Sequence, residues 1–257
     1  MPGIIKLEYE GPLAFVNLSH PGKLNAMSRA MWRELAVIFI TLQASADVRC
    51  VVIRGESAAF CAGGDISEYP DFRFDERSLA EFHEDDVWGG LSAILKCDVP
   101  VVAQIVGACM GAGLEIASCC DIRIAGEGAK FGAPIARLGF PMAAREAQVV
   151  MAAAGELTLR EMLLEASVLG AAEMKARGFL NRIVPDDKVA SVALKAAQNI
   201  AALAPEAARL NKKIIRALKA YPASAAAKMT RIAYRYADSA EHREGITAFL
   251  GKRKPNF

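Results

Sequence analysis

One acidic side chain, Glu115, ends a long uncharged segment of the sequence. The segment Val99–Leu114 begins with β-branched residues suited to a buried strand, and Gly107, Gly111 and Gly113 then interrupt it. The apolar residues that follow predict a buried helix with Glu115 in its first turn. A carboxyl group in apolar surroundings needs hydrogen-bond partners or has a shifted pKa, and a shifted pKa suits proton transfer. Glu115 is therefore a candidate general acid or base.

A second segment offers backbone groups rather than a side chain. Cys50–Gly55 is predicted as a strand ending in glycine, and Gly63 and Gly64 precede Asp65 shortly afterwards. Glycines between a strand and a helix let unpaired backbone N–H groups approach a ligand. Two such peptides directed at one point form an oxyanion hole, which stabilises negative charge on a carbonyl oxygen. The alternative is that the glycines only allow tight packing of a strand on a helix, and spacing alone does not decide.

The elements that must position these residues alternate between strands and helices. A hairpin is predicted at Ile4–Tyr9 and Leu13–Leu18, on either side of a Gly11–Pro12 turn. Ser28 is a candidate N-cap for a helix that continues to Ala44. Further strands are predicted at Val51–Arg54, Val101–Val106 and Ile122–Ala125. This pattern indicates an α/β fold.

The last hundred residues are interpreted as helical. From about Thr158 onward, the predicted helices are Leu159–Glu165, Ala171–Arg177 ending at Gly178, Asp186–Ala204 and Glu206–Ala220. No low-complexity tract or long linker separates them from the preceding part. We predict a division near residue 195, with a core that holds the site over 1–195 and a C-terminal helical region over 196–257.

The composition argues against several classes of function. The chain has 257 residues, 53% of them hydrophobic, which is enough for one large core. Its net charge of +2 provides no basic excess for binding nucleic acid. The uncharged segment is shorter than the roughly 20 residues that span a bilayer, and no signal peptide is recognised at the N-terminus. Neither nucleic acid nor a membrane is expected as a partner.

The six cysteines bear on the compartment. They are scattered, with Cys119 and Cys120 adjacent inside an apolar run, and their spacing is not of a metal-binding type. This usage is typical of reduced, buried thiols. A cytoplasmic location and a site without a metal ion are therefore expected.

Several ordered motifs extend over nearly the whole chain. They are Asn25–Met27, Phe60–Ile66, Pro100–Gly107, Gly111–Glu115 with Cys120–Asp121, Phe131–Gly132, Leu138–Gly139, Ala172–Gly178, Arg243–Phe249 and Lys252–Phe257. In these motifs the chain resembles the enoyl-CoA hydratase/isomerase (crotonase) superfamily. The resemblance implies an α/β fold in which repeated ββα units form a spiral core, followed by a C-terminal helical trimerisation region.

The resemblance also assigns roles to the two segments described first. It implies that the backbone N–H groups of Gly64 and Ala112 bind the thioester oxygen of an acyl-CoA. Loss of one such donor typically costs about 3 kcal/mol of transition-state stabilisation. Glu115 matches one of the family's two catalytic glutamates, which handle the water during hydration of an enoyl-CoA. The alternative is a glutamate that only stabilises a helix N-terminus, and the apolar neighbourhood argues against it.

The family's second catalytic glutamate is missing from this sequence. Phe131–Pro134 is followed by Ile135 at the position where the family has that glutamate, and isoleucine cannot transfer a proton. The next segment is about one residue shorter than the family's glycine-rich loop, so Glu146 or Arg145 is a possible substitute from a shifted position. We expect Glu146 to be solvated, because charged residues in loops usually are.

A cluster of ionisable residues lies in Glu81–Trp88. If this segment is a helix, Glu84 and Trp88 share a face at i, i+4 spacing. The resemblance implies that this helix lines the acyl pocket, which makes Trp88 and Glu84, together with Ile135, candidate pocket residues. His83 is a further candidate acid or base. We expect His83 and Asp86 to lie at a solvent-facing acidic helix end instead.

The resemblance implies coenzyme A as the carrier within the substrate, with no permanently bound cofactor. Its pantetheine and adenine are expected against Lys23, Leu24, Ala62, Asp65 and Ile66. Near the C-terminus, Phe249 and Lys252 match positions that reach the nucleotide, often from a neighbouring subunit. The alternative for Lys252 is a solvated basic tail, as charge runs usually are.

Three functional hypotheses remain. The first is an enoyl-CoA hydratase-like enzyme in which Glu115 transfers protons and Gly64 and Ala112 stabilise a thioester enolate. The second is another enolate-forming reaction, namely isomerisation, decarboxylation or thioester hydrolysis, because fold and oxyanion hole do not fix the chemistry. The third is an acyl-CoA binding protein without turnover.

The C-terminal part also predicts assembly. It is rich in alanine and aliphatic residues, as in Ala223–Met229 and Ile246–Leu250, and exposes more apolar surface than a small helical layer can cover. A homotrimer or homohexamer is expected, in line with the resemblance, and it would bring Phe249 and Lys252 to the nucleotide of an adjacent subunit. The alternative is a monomer whose helices pack back on their own domain.

Overall fold

The computed structural model describes residues 2–203, 205–218 and 237–254. Its strands are β1 Ile4–Glu10, β2 Leu13–Ser19, β3 Cys50–Gly55, β4 Val101–Ile105, β5 Ala108–Met110, β6 Ile122–Gly126, β7 Lys130–Gly132, β8 Val168–Gly170 and β9 Arg182–Val184. Its α-helices are α1 Arg29–Ala44, α2 Glu76–Glu81, α3 Trp88–Lys96, α4 Ala112–Cys119, α5 Ala144–Ala154, α6 Glu156–Leu164, α7 Ala171–Ala176, α8 Val189–Ala201, α9 Pro205–Leu218 and α10 Ala240–Leu250. None of the helices in these ranges combines the length and the apolar character that crossing a membrane requires.

The strands form two sheets. The main sheet has the order β1-β2-β3-β4-β6-β9, in which β1 and β2 are antiparallel and the remaining neighbours run parallel. The predicted hairpin is confirmed, with Ile4 opposite Ser19 and Glu10 opposite Leu13. A smaller sheet has the order β5-β7-β8, with β5 and β7 parallel and β8 antiparallel to β7.

The chain repeats one course through both sheets. In β4–β5–α4, and again in β6–β7 followed by α5, the first strand joins the main sheet, the second joins the smaller sheet, and a helix follows. Cys61, which lies after β3, forms a bridge with Cys109 of β5, so the segment after β3 takes the same course. These are the repeated ββα units expected from the sequence.

Both faces of the main sheet are buried. Along β3, Cys50 and Val52 belong to the cluster under α8, whereas Val51 and Ile53 belong to the larger cluster that includes α1. Burial of both faces explains why the parallel strands have uninterrupted apolar sequences. The helix α1 begins as predicted, because the Ser28 hydroxyl accepts a hydrogen bond from the backbone N–H of Met31 at 3.2 Å.

All six cysteines are buried and free, as the sequence predicted. Burial raises the pKa of the Cys50, Cys61 and Cys120 thiols to about 12. Because the thiolate is the reactive form, these groups are unreactive at neutral pH and serve as packing residues.

The interpretation of everything after Thr158 as helical is incomplete. The strands β8 and β9 lie in this part, and β9 forms an edge of the main sheet beside β6. Strands of three residues are too short to display alternation, so the flanking helical spacing dominates the pattern. The predicted division at residue 195 falls within α8, which packs on the main sheet. The segment 223–229, on which the expectation of assembly partly depends, lies outside the described residues.

Candidate active site

A cavity of about 310 Å³ lies beside the N-terminal ends of α4 and α5. Its wall is predominantly apolar, and it includes the aromatic side chains of Tyr69, Phe82 and Phe140. The ionisable residues in the wall are Arg73, His83, Glu115, Arg137 and Glu146. An apolar cavity with a few converging polar groups is the usual form of a small-molecule site.

Two backbone N–H groups of the predicted oxyanion hole meet at this cavity. The backbone N–H of Cys61 donates to the carbonyl of Ala108 at 2.9 Å, and the carbonyl of Cys61 accepts a hydrogen bond from the N–H of Met110 at 2.9 Å. These bonds hold the segment around Cys61 beside β5. Gly64 lies shortly after Cys61 in the sequence, Ala112 lies shortly after Met110, and both residues line the cavity. Within the described part of the chain, neither of their N–H groups has a protein acceptor. The two peptides that spacing alone could not bring together are therefore adjacent and available to a ligand.

The turn that exposes the Ala112 N–H depends on a glycine. Gly111 has φ +44° and ψ −110°, a backbone conformation that side-chain-bearing residues rarely adopt. It directs the chain from β5 into α4, whose first residue is Ala112. The first N–H groups of a helix have no intrahelical acceptor, so the one at Ala112 remains for a ligand oxygen.

Glu115 lies in the first turn of α4 and lines the cavity, as predicted. Its carboxyl group has no hydrogen-bond partner among the described residues. Burial raises its pKa well above the usual value, the negative charge of Glu146 raises it further, and the positive charge of Arg73 opposes both effects. A carboxyl group with a raised pKa holds a proton more readily than an ordinary glutamate, which suits a general acid or base.

Glu146 is not solvated, and the expectation that it lies in an exposed loop is wrong. It occupies the first turn of α5, is 2% exposed and lines the same cavity as Glu115. Its Oε1 lies 3.1 Å from Nδ1 of His83. Burial raises the pKa of Glu146, and the charge of Glu84 adds to this shift. No serine or threonine precedes α5 as an N-cap, so the sequence lacked the usual signal of a helix start at this point.

His83 and Asp86 are also buried, which corrects the expectation of a solvent-facing helix end. His83 is 8% exposed and lines the cavity. Asp86 accepts hydrogen bonds from Nε of Arg29 and Nε of Arg33, each at 2.6 Å. The acidic residue is therefore paired with α1, because buried carboxylates require such partners.

Trp88 and Glu84 do not belong to the cavity wall, contrary to the prediction. Residues Phe82–Val87 form a π-helical segment between α2 and α3, and its wider turn disrupts the α-helical spacing on which the prediction depended. Glu84 instead pairs with Arg145 at 3.0 Å, and the Arg145 guanidinium lies 5.2 Å from the Trp88 ring centre. The tryptophan that lines the cavity is Trp32 of α1.

Arg73 is a site residue that the sequence reasoning missed. It is 1% exposed and lines the cavity, and its guanidinium lies 4.0 Å from the ring centre of Phe140 and 4.4 Å from that of Tyr69. Two flanking phenylalanines, Phe72 and Phe74, were the local sign that this segment is buried.

Ile135 lines the cavity from a short 3₁₀ segment, Ile135–Leu138. It was predicted as a pocket residue, and the structure places it in the same wall as Glu115. The position that resembles the family's second glutamate is therefore part of the site but apolar.

The residues expected to contact coenzyme A cluster at one side of Gly64. Ala62 and Ile66 line the cavity, whereas Lys23, Leu24 and Asp65 are outside its wall. The backbone N–H of Ala62 donates to the carbonyl of Leu24 at 3.0 Å, and Nζ of Lys23 lies 2.6 Å from Oδ2 of Asp65. The exposed Lys23 and Leu24 thus lie beside the segment that lines the cavity, whereas Asp65 is buried and paired with Lys23.

The C-terminal helix α10 reaches the cavity of its own chain. Phe249 lines this cavity, whereas Lys252 lies exposed beyond the end of α10. The expected reach of Phe249 to the nucleotide of an adjacent subunit stays a prediction, and this side chain in addition lines the cavity of its own chain. The reason is that α10 packs against the 3₁₀ segments Ile66–Asp71 and Ile135–Leu138 of the same chain.

The comparisons with known proteins show the family of the chain. The family described as enoyl-CoA hydratase/isomerase matches residues 8–257. A probable enoyl-CoA hydratase of Rhizobium meliloti is 31% identical over 252 residues, covering 98% of this chain and 96% of the relative. A probable enoyl-CoA hydratase of Mycobacterium bovis is 30% identical over 254 residues, covering 98% of this chain and 97% of the relative.

Solved structures extend the likeness to the fold. An enoyl-CoA hydratase/carnithine racemase from Magnetospirillum magneticum has a TM-score of 0.82 and 36% identity, covering 99% of this chain and 95% of that one. A methylmalonyl-CoA decarboxylase bound to 2-nitronate-propionyl-CoA has a TM-score of 0.87 and 26% identity, covering 99% and 98%. With the family match over nearly its whole length, the chain belongs to the enoyl-CoA hydratase/isomerase family.

Proposed function

We propose that this protein transforms acyl-CoA thioesters through an enolate, and that its reaction is the hydration of a 2-enoyl-CoA or the reverse dehydration. The observation that carries the proposal is a set of three groups in one cavity. Two are the backbone N–H groups of Gly64 and Ala112, and the third is the carboxyl group of Glu115. Among the described residues, none of the three is engaged by a protein hydrogen-bond partner.

The N–H groups of Gly64 and Ala112 bind the thioester oxygen. When water adds to the β-carbon of an enoyl thioester, the electrons of the double bond move towards the carbonyl and negative charge develops on its oxygen. Donors fixed by the backbone stabilise this charge without having to reorient, which lowers the barrier. The Cys61 hydrogen bonds to β5 maintain their spacing.

Glu115 serves as acid/base for the water. Its raised pKa means that protonated and ionised forms are closer in energy than for an exposed glutamate, so the group can accept a proton and return it within one cycle. Because no described residue forms a hydrogen bond with this carboxyl group, both of its oxygens are left for water and substrate.

The carrier is coenzyme A, which enters as part of the substrate. Lys23 and Leu24 are exposed beside the thioester site, Asp65 holds Lys23 in place, and Ala62 and Ile66 line the cavity. A lysine at this surface suits the negative phosphates of the nucleotide, and the exposed Leu24 suits the pantetheine. Phe249 of α10 lines the cavity, and Lys252, just beyond the end of this helix, is a further positive charge for the phosphates. The curated relatives named above are hydratases by name, which supports this substrate class.

Decarboxylation of a carboxyacyl-CoA is the second candidate. One observation favours it: Ile135 makes the wall apolar at the position of the family's second glutamate. An apolar wall strips water from a substrate carboxylate and favours loss of CO₂. The structural likeness to methylmalonyl-CoA decarboxylase fits the same chemistry.

A screen of acyl-CoA thioesters tests the proposal. Hydration is followed by loss of the conjugated enoyl absorbance of crotonyl-CoA, hydrolysis by release of free thiol, and decarboxylation by CO₂ release from malonyl- and methylmalonyl-CoA. Isomerisation is followed by gain of the same absorbance from a 3-enoyl-CoA. Hydration that is lost in Glu115→Gln supports the proposal. Binding of butyryl-CoA without turnover of any thioester would instead identify a binding protein.

A further inference from the structure

Three buried polar side chains occupy one end of the cavity. Arg73, His83 and Glu146 are 1%, 8% and 2% exposed, and all three line the cavity. Placing such groups in an apolar interior costs several kcal/mol unless each has partners. Their arrangement is therefore expected to serve the site.

The hydrogen bonds between them have one consistent direction. Nη1 of Arg73 lies 3.4 Å from Nε2 of His83, and a guanidinium can only donate. Nε2 of His83 is therefore the acceptor, and the neutral imidazole carries its hydrogen on Nδ1. That hydrogen is donated to Oε1 of Glu146, 3.1 Å away. We call these residues the Arg73–His83–Glu146 triad.

Arg73 itself is fixed on its other side. Its Nε donates to Nε2 of His242 at 3.3 Å, and His242 in turn donates Nδ1–H to the carbonyl oxygen of Ala237 at 2.9 Å. The guanidinium also stacks between the rings of Tyr69 and Phe140. The buried cation therefore has a defined position and imposes one tautomer on His83.

We propose that Glu146 is the second catalytic carboxyl of this site, supplying the proton transfer that Ile135 cannot, and that His83 and Arg73 are its positioning residues. The inference rests on the hydration proposed above. His83 engages Oε1 of Glu146, which leaves Oε2 as the atom that exchanges a proton with the contents of the cavity.

Two carboxyl groups can divide the two proton transfers of hydration. One carboxylate accepts a proton from the attacking water as the new C–O bond forms at the β-carbon. The other, protonated, gives its proton to the α-carbon as the enolate collapses, and the proton then passes between the two groups to restore the starting state. Burial favours the protonated form of both Glu115 and Glu146, and the positive charge of Arg73 favours the ionised form of both. One proton shared by the two carboxyl groups balances these opposed effects.

Other charges also act on Glu146. Glu84 raises its pKa, whereas Arg145 and the backbone N–H of Ala143 lower it. Burial and the charge of Arg73 lower the pKa of His83 well below its usual value. The contact between His83 and Glu146 is therefore a hydrogen bond of a neutral imidazole and not a fixed ion pair, so it orients the carboxyl group without preventing its protonation.

The competing explanation is structural. Glu146 is the third residue of α5, the position at which a glutamate or a glutamine serves the helix start in a capping box, and the nearby backbone N–H of Ala143 lowers its pKa. Glutamine fulfils this role equally well and also accepts the His83 Nδ1–H through its Oε1. The Glu146→Gln variant therefore keeps the fold and the cap but removes the exchangeable proton.

Steady-state kinetics with crotonyl-CoA test the inference. We expect Glu146→Gln to lower kcat by about 10²- to 10⁴-fold with little change in KM. His83→Phe should lower kcat by about 10-fold or more and move the pH profile of kcat, because Glu146 loses its donor. Arg73→Lys should retain more activity than Arg73→Met. Glu156→Gln, an exposed first-turn glutamate of α6, is the matched control and should leave kcat unchanged.

Two further results separate this inference from the proposed function. If Glu115→Gln abolishes turnover but Glu146→Gln stays within about threefold of wild type, the inference fails and the hydratase proposal stands; if neither variant alters turnover, both fail. Infrared spectra provide a measurement without turnover: the wild type should have a protonated-carboxyl band that both Glu146→Gln and His83→Phe change. A band that neither variant changes overturns the inference.

Discussion

Glu115 and Glu146 occupy the first turns of two helices, α4 and α5, that pack against each other, and both side chains line one cavity. Each helix N-terminus carries a partial positive charge, which stabilises a carboxylate in the first turn. Burial acts in the opposite direction and raises the pKa of both carboxyl groups. The site therefore contains two carboxyl groups on which these opposed effects act, although Ile135, the residue that resembles the family's second glutamate position, is apolar.

The first prediction concerns Glu115. Its replacement by glutamine keeps the shape of the side chain but removes the exchangeable proton, so kcat should fall by about 10²- to 10⁴-fold. KM should change little, because the thioester oxygen is bound by backbone groups. Crotonyl-CoA kinetics measure both constants, with Glu156→Gln as the surface control. A variant that keeps more than about a tenth of wild-type kcat would exclude Glu115 as the acid/base.

The second prediction concerns the space beside Gly64. A Cβ at this residue would lie 2.2 Å from the Tyr69 hydroxyl oxygen, so Gly64→Ala must displace either the tyrosine or the Gly64 peptide. A shift of about 1 Å in a positioned group can cost roughly 10²-fold in rate, and we expect a loss of that order in kcat. The double variant Gly64→Ala/Tyr69→Phe lacks the hydroxyl oxygen that would clash. Its kcat should therefore be close to that of Tyr69→Phe alone. Equal activities of Gly64→Ala and wild type would contradict the assigned role of this peptide.

The third prediction uses the pKa of Glu115 to predict stability. In the folded protein this pKa is raised, so between the unfolded and folded values the folded state binds more protons and stability falls as pH rises. The Glu115→Gln variant has no ionisable group at this position, so it does not lose stability in this way as pH rises. Its melting temperature should therefore exceed that of the wild type by a margin that grows from pH 5 to pH 8, by about 2–4 °C for each kcal/mol regained. Calorimetry at both pH values measures the margin, and a margin that stays constant or shrinks would argue against a buried, protonated Glu115.

Part of this site was predictable because its signals are local. The position of Glu115 followed from the glycines and apolar residues around it, and the start of α1 followed from Ser28. The triad was not predictable in this way. Glu146 lies 63 residues from His83, and Arg73 lies 169 residues from His242, so no spacing along the sequence relates them.

Two other differences have geometric causes. Trp88 was predicted in the pocket from α-helical spacing, and a π-helical segment changes that spacing immediately before it. Phe249 was expected only at the nucleotide, and it also lines the cavity of its own chain, where α10 packs with His242 buried against Arg73. In both cases the aromatic side chain suits an apolar site, but the neighbouring sequence did not determine what that side chain packs against.

The fourth prediction moves the second carboxyl group. Ile135 lines the cavity, so glutamate at this position introduces a carboxyl group where the family has one. In the Glu146→Gln background, we expect Ile135→Glu to recover at least about tenfold in kcat, a fraction of what a general acid or base contributes. Ile135→Gln in the same background is the matched control without an ionisable group. Burying the new carboxyl group costs stability, so circular dichroism must first establish that the variant is folded. A folded variant no faster than Glu146→Gln would mean that the reaction does not use this position.

The last prediction is assembly, and α9 gives the physical reason. Its basic side chains face its own chain: Lys212 pairs with Asp121 at 2.7 Å, and Arg216 pairs with Asp98 at 2.7 Å. Its apolar residues Leu210, Ile214 and Ile215 are exposed instead, at 56%, 48% and 57%. A helix with this orientation needs a second apolar surface, which a closed symmetric assembly provides.

We therefore expect a trimer or a pair of trimers, with α9 at or near the contact. Light scattering at micromolar concentration should give a mass of three or six times 27.5 kDa. Leu210→Glu combined with Ile214→Glu should lower this mass, because two buried charges destabilise an apolar contact. The matched control is Lys188→Glu combined with Lys195→Glu. These two residues lie just before α8 and within it, and not on the apolar face of α9. A wild-type mass near 27.5 kDa would contradict the prediction and leave α9 as an exposed apolar face of a monomer.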